Sequence, residues 1–206
     1  MLDLLIQASE GGYAKGHENR EAILRAALHV LVNEGYAAMT MRRVAKECGL
    51  KFGNLTYYYR SHEDMVHALL EAVVAGFEAQ FDEIVHDQTS DPTERLKRYC
   101  RFVLQDIQTR ETTHLFPELW ALSNHSAFIL DQMNALYRRA RAPIIAILQD
   151  MRPDLPQQTH ENLALLISGS MEGMTMFLGH GKSFNDQIEP IIELHLTSFL
   201  AAITNA

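Results

Sequence analysis

The chain has 206 residues, of which 47% are hydrophobic, and 18 Lys and Arg against 26 Asp and Glu give a formal net charge of −8. That much apolar material excludes a disordered chain, and the length allows one domain or two small ones. The acidic total excludes a protein that coats nucleic acid with its whole surface, while leaving room for a local basic patch.

Helical periodicity recurs almost everywhere and alternating strand patterns are scarce, so the expected fold is all-α, with about nine helices. Residues 1–16 read as a weakly ordered tail ending in Gly11, Gly12 and Gly16. A helix is expected from Glu18 to Asn33, with Ile23, Ala26, Ala27, Val30 and Leu31 on one face and Gly35 closing it. Short helices follow over Met41–Cys48 and Gly53–Tyr59, then a long one from His62 to about His86. Asp91-Pro92 marks another start, with Leu96, Tyr99, Cys100, Val103 and Ile107 at helical spacing. Leu115 to Leu122 form a further apolar group. The stripe from Ile129 to Ile147 contains Pro143, which predicts a kink or a restart. Arg152 to Pro156 reads as a linker. Two last helices, Gln158–Leu178 and Asp186–Ile203, flank a Gly179–Asn185 loop.

The two short helices early in the chain have the features of a helix-turn-helix. Thr40 can cap the first and donate to a phosphate, Ala45 is small where two helices must approach, and Gly49 sits at the turn, where positive φ is expected. Between residues 40 and 61 the cations are Arg42, Arg43, Lys46, Lys51 and Arg60, and the sole anion is Glu47. Residues 1–65 balance, so the whole −8 falls on the remainder. Such a separation steers one face toward phosphates.

The run Gly49-Leu50-Lys51-Phe52-Gly53-Asn54-Leu55-Thr56-Tyr57-Tyr58-Tyr59-Arg60-Ser61-His62-Glu63-Asp64-Met65 resembles the signature of TetR-like (tetracycline-repressor-like) regulators. Their usual pattern is Gly-Val-Ser-x-Gly-Thr-Leu-Tyr-x-Tyr-Phe-x-x-Lys-Glu-x-Leu. The match covers about residues 20–70; beyond it, the chain resembles the family only in length and helical pattern. Lys51 stands for the usual capping Ser, Thr56 for Tyr, Tyr59 for Phe and His62 for a phosphate-meeting Lys. The resemblance implies that Thr40, Arg42, Lys51, Tyr57, Tyr58 and His62 position the DNA backbone, and that Arg42, Phe52, Asn54 and Thr56 face base edges. Arg43 and Gly53 complete the expected DNA-binding set. Tyr59 reads as core, and Cys48 as a small core residue rather than a redox switch.

It also implies a division into a tail over 1–16, a DNA-binding domain over 17–62, and an effector-binding and dimerisation domain over 63–206. A homodimer through the last two helices is expected. Ile188, Ile191, Ile192, His195, Leu196, Phe199, Leu200 and Ile203 form one stripe there, and Gly169 and Gly173 permit close approach. The partners implied are a palindromic double-stranded operator and a small apolar or amphipathic effector that releases a repressor. Candidate pocket residues are Phe77, Phe81, Phe102, Trp120, Met133, Tyr137, Met171, Met174 and Phe177, with Gln105, Asn124 and Glu172 as polar determinants. Glu172 interrupts an apolar run; if buried, it calls for a cationic ligand or a buried Arg. The alternative is a regulator or adaptor controlled by a protein partner, without a small-molecule pocket.

Other signals carry less. Two cysteines are too few for a disulfide scaffold or a four-cysteine zinc site. His67/Glu71 and Asp82/His86 have ligand spacing but no third ligand, so no metal or cofactor is expected. Gly179 to Ser183 imitates the end of a phosphate-binding loop, but Met176 stands where the first glycine is needed. No nucleophile or acid–base constellation points to an enzyme. The amino terminus lacks the basic region of a signal peptide, and no stretch approaches the ~20 apolar residues of a membrane span, so a cytoplasmic location is expected.

Overall fold

The computed structural model describes residues 4–6, 14–87 and 89–206. The helices are α1 (Ala14–Glu34), α2 (Met41–Glu47), α3 (Phe52–Tyr58), α4 (His62–Val85), α5 (Pro92–Asp106), α6 (Arg110–Ser123), α7 (Ala127–Met151), α8 (Gln157–Gly173), α9 (Thr175–Leu178) and α10 (Ile188–Thr204). Among the described residues there is no strand, and α9 is a single turn, which leaves nine longer helices in an all-α fold. No helix of the described residues is long and apolar enough to cross a membrane.

Several boundaries differ from expectation for local reasons. Helix α1 begins at Ala14, so the last residues of the expected tail are helical. Of the remainder, residues 1–3 and 7–13 lie outside the described residues. Leu4 is buried, and the Leu5 N–H donates to the Ala72 carbonyl at 3.1 Å, which ties this short stretch to α4. Helix α7 runs through Pro143 without the expected restart. Proline disturbs the ladder there, and the Tyr99 hydroxyl donates to the Ala140 carbonyl at 2.9 Å, one turn earlier. Pro117 lies inside α6 in the same way. The expected Gln158–Leu178 helix is interrupted at Met174, between α8 and α9.

The contacts divide the chain into two compact units. One comprises residues 4–77 and 114–136, the other 78–113 and 137–206, over the described residues. The first holds the head: α1 packs on α2 and α2 on α3, around Ile23, Ala27, Val30, Leu31, Met39, Val44, Leu55 and Met65. Two polar contacts from α6 finish this unit. His114 Nδ1 lies 2.8 Å from the Val32 carbonyl, and Glu118 Oε1 accepts the Tyr36 N–H at 2.6 Å. They occupy backbone groups freed where α1 ends and a 3₁₀ turn (Tyr36–Ala38) begins.

In the second unit, α5, α8 and α10 pack on one another. Leu96, Leu104, Ile147, Ile167, Ile192 and Phe199 are core residues there. Asp91 caps α5 by accepting the Thr93 N–H at 3.0 Å, as the Asp91-Pro92 pair predicts. Arg95 is buried, with its guanidinium donating to the Val85 carbonyl at 2.7 Å and to Asp150 Oδ2 at 2.7 Å. It satisfies a carbonyl at the negative end of α4 while neutralising a carboxylate on α7. Gly179 serves a close approach rather than a phosphate: an added Cβ would stand 2.6 Å from the Thr175 carbonyl oxygen and 2.7 Å from Thr113 Oγ1.

Candidate functional site

The turn between α2 and α3 fixes the geometry of the head. Thr40 caps α2, its side chain accepting the Arg43 N–H at 3.2 Å. At the other end Gly49 adopts φ +70°, the Gly49 N–H meets the Lys46 carbonyl at 3.3 Å, and the Leu50 N–H meets the Ala45 carbonyl at 2.9 Å. This paired closure requires a left-handed residue, which glycine adopts without a Cβ penalty. The chain then re-enters helix at Phe52. Lys51 occupies the cap position without a side-chain cap bond, as expected when it stands in place of Ser.

Helix α3 buries Leu55 and, at its end, Tyr59, so the core reading of Tyr59 holds. Lys51, Phe52, Gly53, Asn54 and Tyr57 are exposed, Tyr57 to 83%. Thr56 is half-buried and returns its hydroxyl to the Gly53 carbonyl at 3.1 Å. The Arg42 guanidinium lies over the Phe52 ring, 5.4 Å from its centroid, so the two side chains share one surface. Arg42, Lys46, Lys51 and Arg60 are exposed and form no ion pair among the described residues.

Three expected DNA contacts are modified by intramolecular partners. Arg43 is the main correction. Its guanidinium is divided between Glu34, at 2.5 Å and 3.1 Å, and Glu47 at 2.8 Å, which hold its pKa further above the usual range. That fork braces α1 against α2 and is spent on carboxylates. His62 places Nε2 2.8 Å from the Met39 carbonyl and its ring edge-on to Tyr36, leaving Nδ1 for other partners. The Tyr58 hydroxyl accepts from Asn19 Nδ2 at 2.8 Å and packs edge-on against Tyr57. Cys48 is half-buried, with its thiol 3.6 Å from the Ala45 carbonyl.

The expected effector residues fall into both units. Phe77, Trp120, Asn124 and Met133 belong to the first; the rest belong to the second. In the first, Phe77 lies 6.4 Å from Phe116 between ring centroids, and Met133 is buried. In the second, Phe81 packs on Tyr99 at 4.4 Å and on Phe102 at 5.4 Å, Met171 is buried, and Met174 is half-buried. Glu172 accepts from the Tyr137 hydroxyl at 3.5 Å. Burial first, and Asp106 second, push its pKa up to about 7.

Three of these expectations are corrected. Gln105 is exposed because it is out of phase with the buried Leu96–Tyr99–Cys100–Leu104 stripe, and its amide reaches Glu189 at 3.5 Å. Asn124 is exposed just beyond the end of α6. Phe177 is 54% exposed, on the outer side of α9. Missed altogether were Asp106, whose Oδ2 accepts from Thr112 Oγ1 at 2.7 Å, and the buried Thr175. A groove of about 400 Å³ between α5 and α10 is lined by Glu94, Lys97, Arg98, Arg101 and Glu193, and contains none of the expected effector residues.

A basic helix-turn-helix head on an otherwise helical chain defines a class of DNA-binding regulators. Residues 23–69 match the family described as bacterial regulatory proteins, tetR family, and residues 92–201 match the BetI-type transcriptional repressor C-terminal family. The chain therefore belongs to the TetR family of DNA-binding transcriptional regulators, and its role is regulatory rather than enzymatic.

Among curated relatives, an HTH-type regulator from the dhlA 5′ region of Xanthobacter autotrophicus is 26% identical over 128 residues, covering 60% of this chain and 62% of that protein. The repressor KstR2 of Mycobacterium tuberculosis is 32% identical over 81 residues, covering 39% of this chain and 40% of KstR2. The chain thus spans about half the length of the curated relatives it matches. Among solved structures, a regulator from Saccharomonospora viridis in complex with choline is similar with a TM-score of 0.70 and 22% identity, over 89% of this chain and 96% of that one. FadR from Bacillus subtilis in complex with stearoyl-CoA gives a TM-score of 0.72 at 16% identity, over 88% and 98%. Both share the fold.

Proposed function

We propose that this protein is a homodimeric repressor that binds a palindromic operator and is released by a small effector. The observation that carries the reading is the exposed α3 surface, on which Asn54 stands beside a Phe52 ring covered by Arg42. Asn and Arg are the side chains suited to two-point contact with adenine and guanine, and Phe can meet a thymine methyl. Thr40, Lys51, Tyr57, the remaining nitrogen of His62 and, through its ring edge, Tyr58 serve the phosphates. Gly53 keeps the start of α3 free of bulk.

The dimer reading is supported by apolar side chains left uncovered on the last long helices. Leu165, Leu166, Gly169 and Gly173 follow one another along the exposed side of α8, and Leu194 is 61% exposed on α10. The stripe expected to form the interface is largely the unit's own core instead, since Ile192, Leu196, Phe199 and Ile203 are buried. The opposite edge of α10, with Ile191, Leu194 and His195, is the part available to a second copy. Two such copies would set two recognition helices about one DNA turn (~34–36 Å) apart.

An effector domain within residues 63–206, following a head over 17–62, is supported by relatives of the same fold that carry ligands as different as choline and stearoyl-CoA. The side chains, not the fold, must then choose the ligand. Gel-shift titration over the chain's own promoter region tests the proposal. Tight binding that depends on a palindrome and weakens on adding effector is expected; weak binding indifferent to sequence would sink it.

A further inference from the structure

Helix α1 meets the end of α3 through one side-chain bond in its first half. Asn19 Nδ2 donates to the Tyr58 phenol oxygen at 2.8 Å, which fixes the second turn of α1 against the last turn of α3. A phenol both accepts and donates. Accepting from Asn19 uses a lone pair and leaves the O–H hydrogen, for which the described residues supply no acceptor. Tyr58 is half-buried and stands edge-on to the exposed Tyr57, with ring centroids 5.3 Å apart. The phenol is thus braced from two sides while part of it remains at the surface, with a donor to spare.

A cation stands one turn before Asn19. Lys15 and Asn19 are four positions apart in α1, so they follow one another on one side of the helix, with Cβ atoms about 5–6 Å apart. Lys15 is exposed and has no ion-pair partner among the described residues. The nearby acids do not cancel it: Glu21 is held by Arg25 at 2.7 Å, and Glu18 lies about 100° around the helix from Asn19. The seven residues of α3 make a helix about 10 Å long, close to the ~12 Å width of a major groove. With the start of α3 at base edges, its last turn comes up to the backbone that walls the groove, and brings Tyr58 and the start of α1 with it.

We propose that the first two turns of α1 extend the DNA-binding surface beyond the helix-turn-helix. The Tyr58 O–H and the Lys15 ammonium bind the phosphate backbone beside the end of α3, and Asn19 is the positioning residue that aims the phenol. Donation from Asn19 polarises the phenol and makes its own O–H a better donor to a phosphate oxygen. The contact touches no base, so it adds affinity on every sequence and fixes how the head sits on the duplex. Its two parts differ in kind. The ammonium neutralises a phosphate and releases a counterion, whereas the phenol adds a hydrogen bond without charge.

Fluorescence anisotropy of the full chain on a labelled duplex of arbitrary sequence, titrated at several salt concentrations, tests this without a palindrome or an effector. Lys15→Ala should reduce the slope of log K against log salt by about 0.9, the share of one phosphate. Arg25→Ala removes the same charge from the same helix about 15 Å further along, and should leave the slope unchanged. Tyr58→Phe should weaken binding about three- to tenfold at the parent's slope, because it removes an uncharged donor. Asn19→Leu, similar in shape and also uncharged, should weaken it too, and the double variant should bind no worse than Tyr58→Phe alone. If Tyr58→Phe fails to fold, the comparison of Lys15→Ala with Arg25→Ala still decides. A slope that Lys15→Ala leaves intact, an equal reduction by Arg25→Ala, or additive losses from Asn19→Leu and Tyr58→Phe would overturn the proposal.

Discussion

Replacing Glu172 with Gln keeps the shape of the side chain and removes its charge, so its effect on stability can be worked out with sign. The carboxyl is held at about 7 against an ordinary value of 4.5, chiefly by burial. Folding therefore favours the protonated form. Below pH 4.5 both states are protonated and Glu172 costs nothing. As pH rises from there, the unfolded chain releases its proton first, and the folded state loses stability until the group ionises near 7. The full difference corresponds to about 3 kcal/mol at 1.36 kcal/mol per pH decade. Partial access to solvent lowers this, so about 1–3 kcal/mol is the range to expect. Urea unfolding of both proteins at pH 5 and pH 8, at one protein concentration because assembly affects apparent stability, measures it. The gain of Glu172→Gln over the parent should grow between those pH values. An exposed control on the same helix, Glu161→Gln, should show no such growth. A Glu172→Gln effect of equal size at both pH values, or a loss at pH 8, would refute the buried-acid argument.

Gly49→Ala should destabilise the head by about 1 kcal/mol and weaken operator binding, because φ there is +70° while open space surrounds the missing Cβ; unchanged melting would contradict the strain account. Asn54→Ala should relax preference at particular base pairs, whereas Lys51→Ala should weaken all sequences alike and reduce the salt slope by about one, both read by gel shift across salt concentrations. Arg43→Ala should alter that slope less than Arg42→Ala, since Arg43 is engaged by Glu34 and Glu47; equal slopes would place both on phosphates. Leu165→Glu should yield monomers in sedimentation velocity if the uncovered α8 surface forms the dimer, and a persisting dimer would move the interface elsewhere.

The head was legible because its chemistry is local. A cap at Thr40, a left-handed glycine nine residues later and an aromatic cluster after it are all fixed by distance along the chain, and each occupies its expected place in the structure. What spacing could not reveal was the partner across space. Arg43 and Arg42 are equivalent cations in the sequence, yet Arg43 faces Glu34 at the end of α1, nine residues back across a turn. His62, replacing a Lys in the family pattern, has a ring short enough to stay against Met39 and Tyr36.

The larger remainder was legible in its helices and not in their phases. Helix α10 is apolar over so wide an arc that its stripe included both an inward edge, with Ile192 and Phe199, and residues such as Ile191 on the way to the exposed Leu194. Periodicity cannot choose between two apolar edges; packing against α5 and α8 does. Asp106 escaped notice for the opposite reason, since a lone Asp at the end of an amphipathic helix reads as solvated. Its significance depends on Thr112 and Glu172, which only the fold brings into its surroundings. The bonding of α6 adds to this. Its first turn is fastened by Thr112 to Asp106 and by Thr113 to Ile107, while His114 and Glu118 bond to Val32 and Tyr36 at the end of α1.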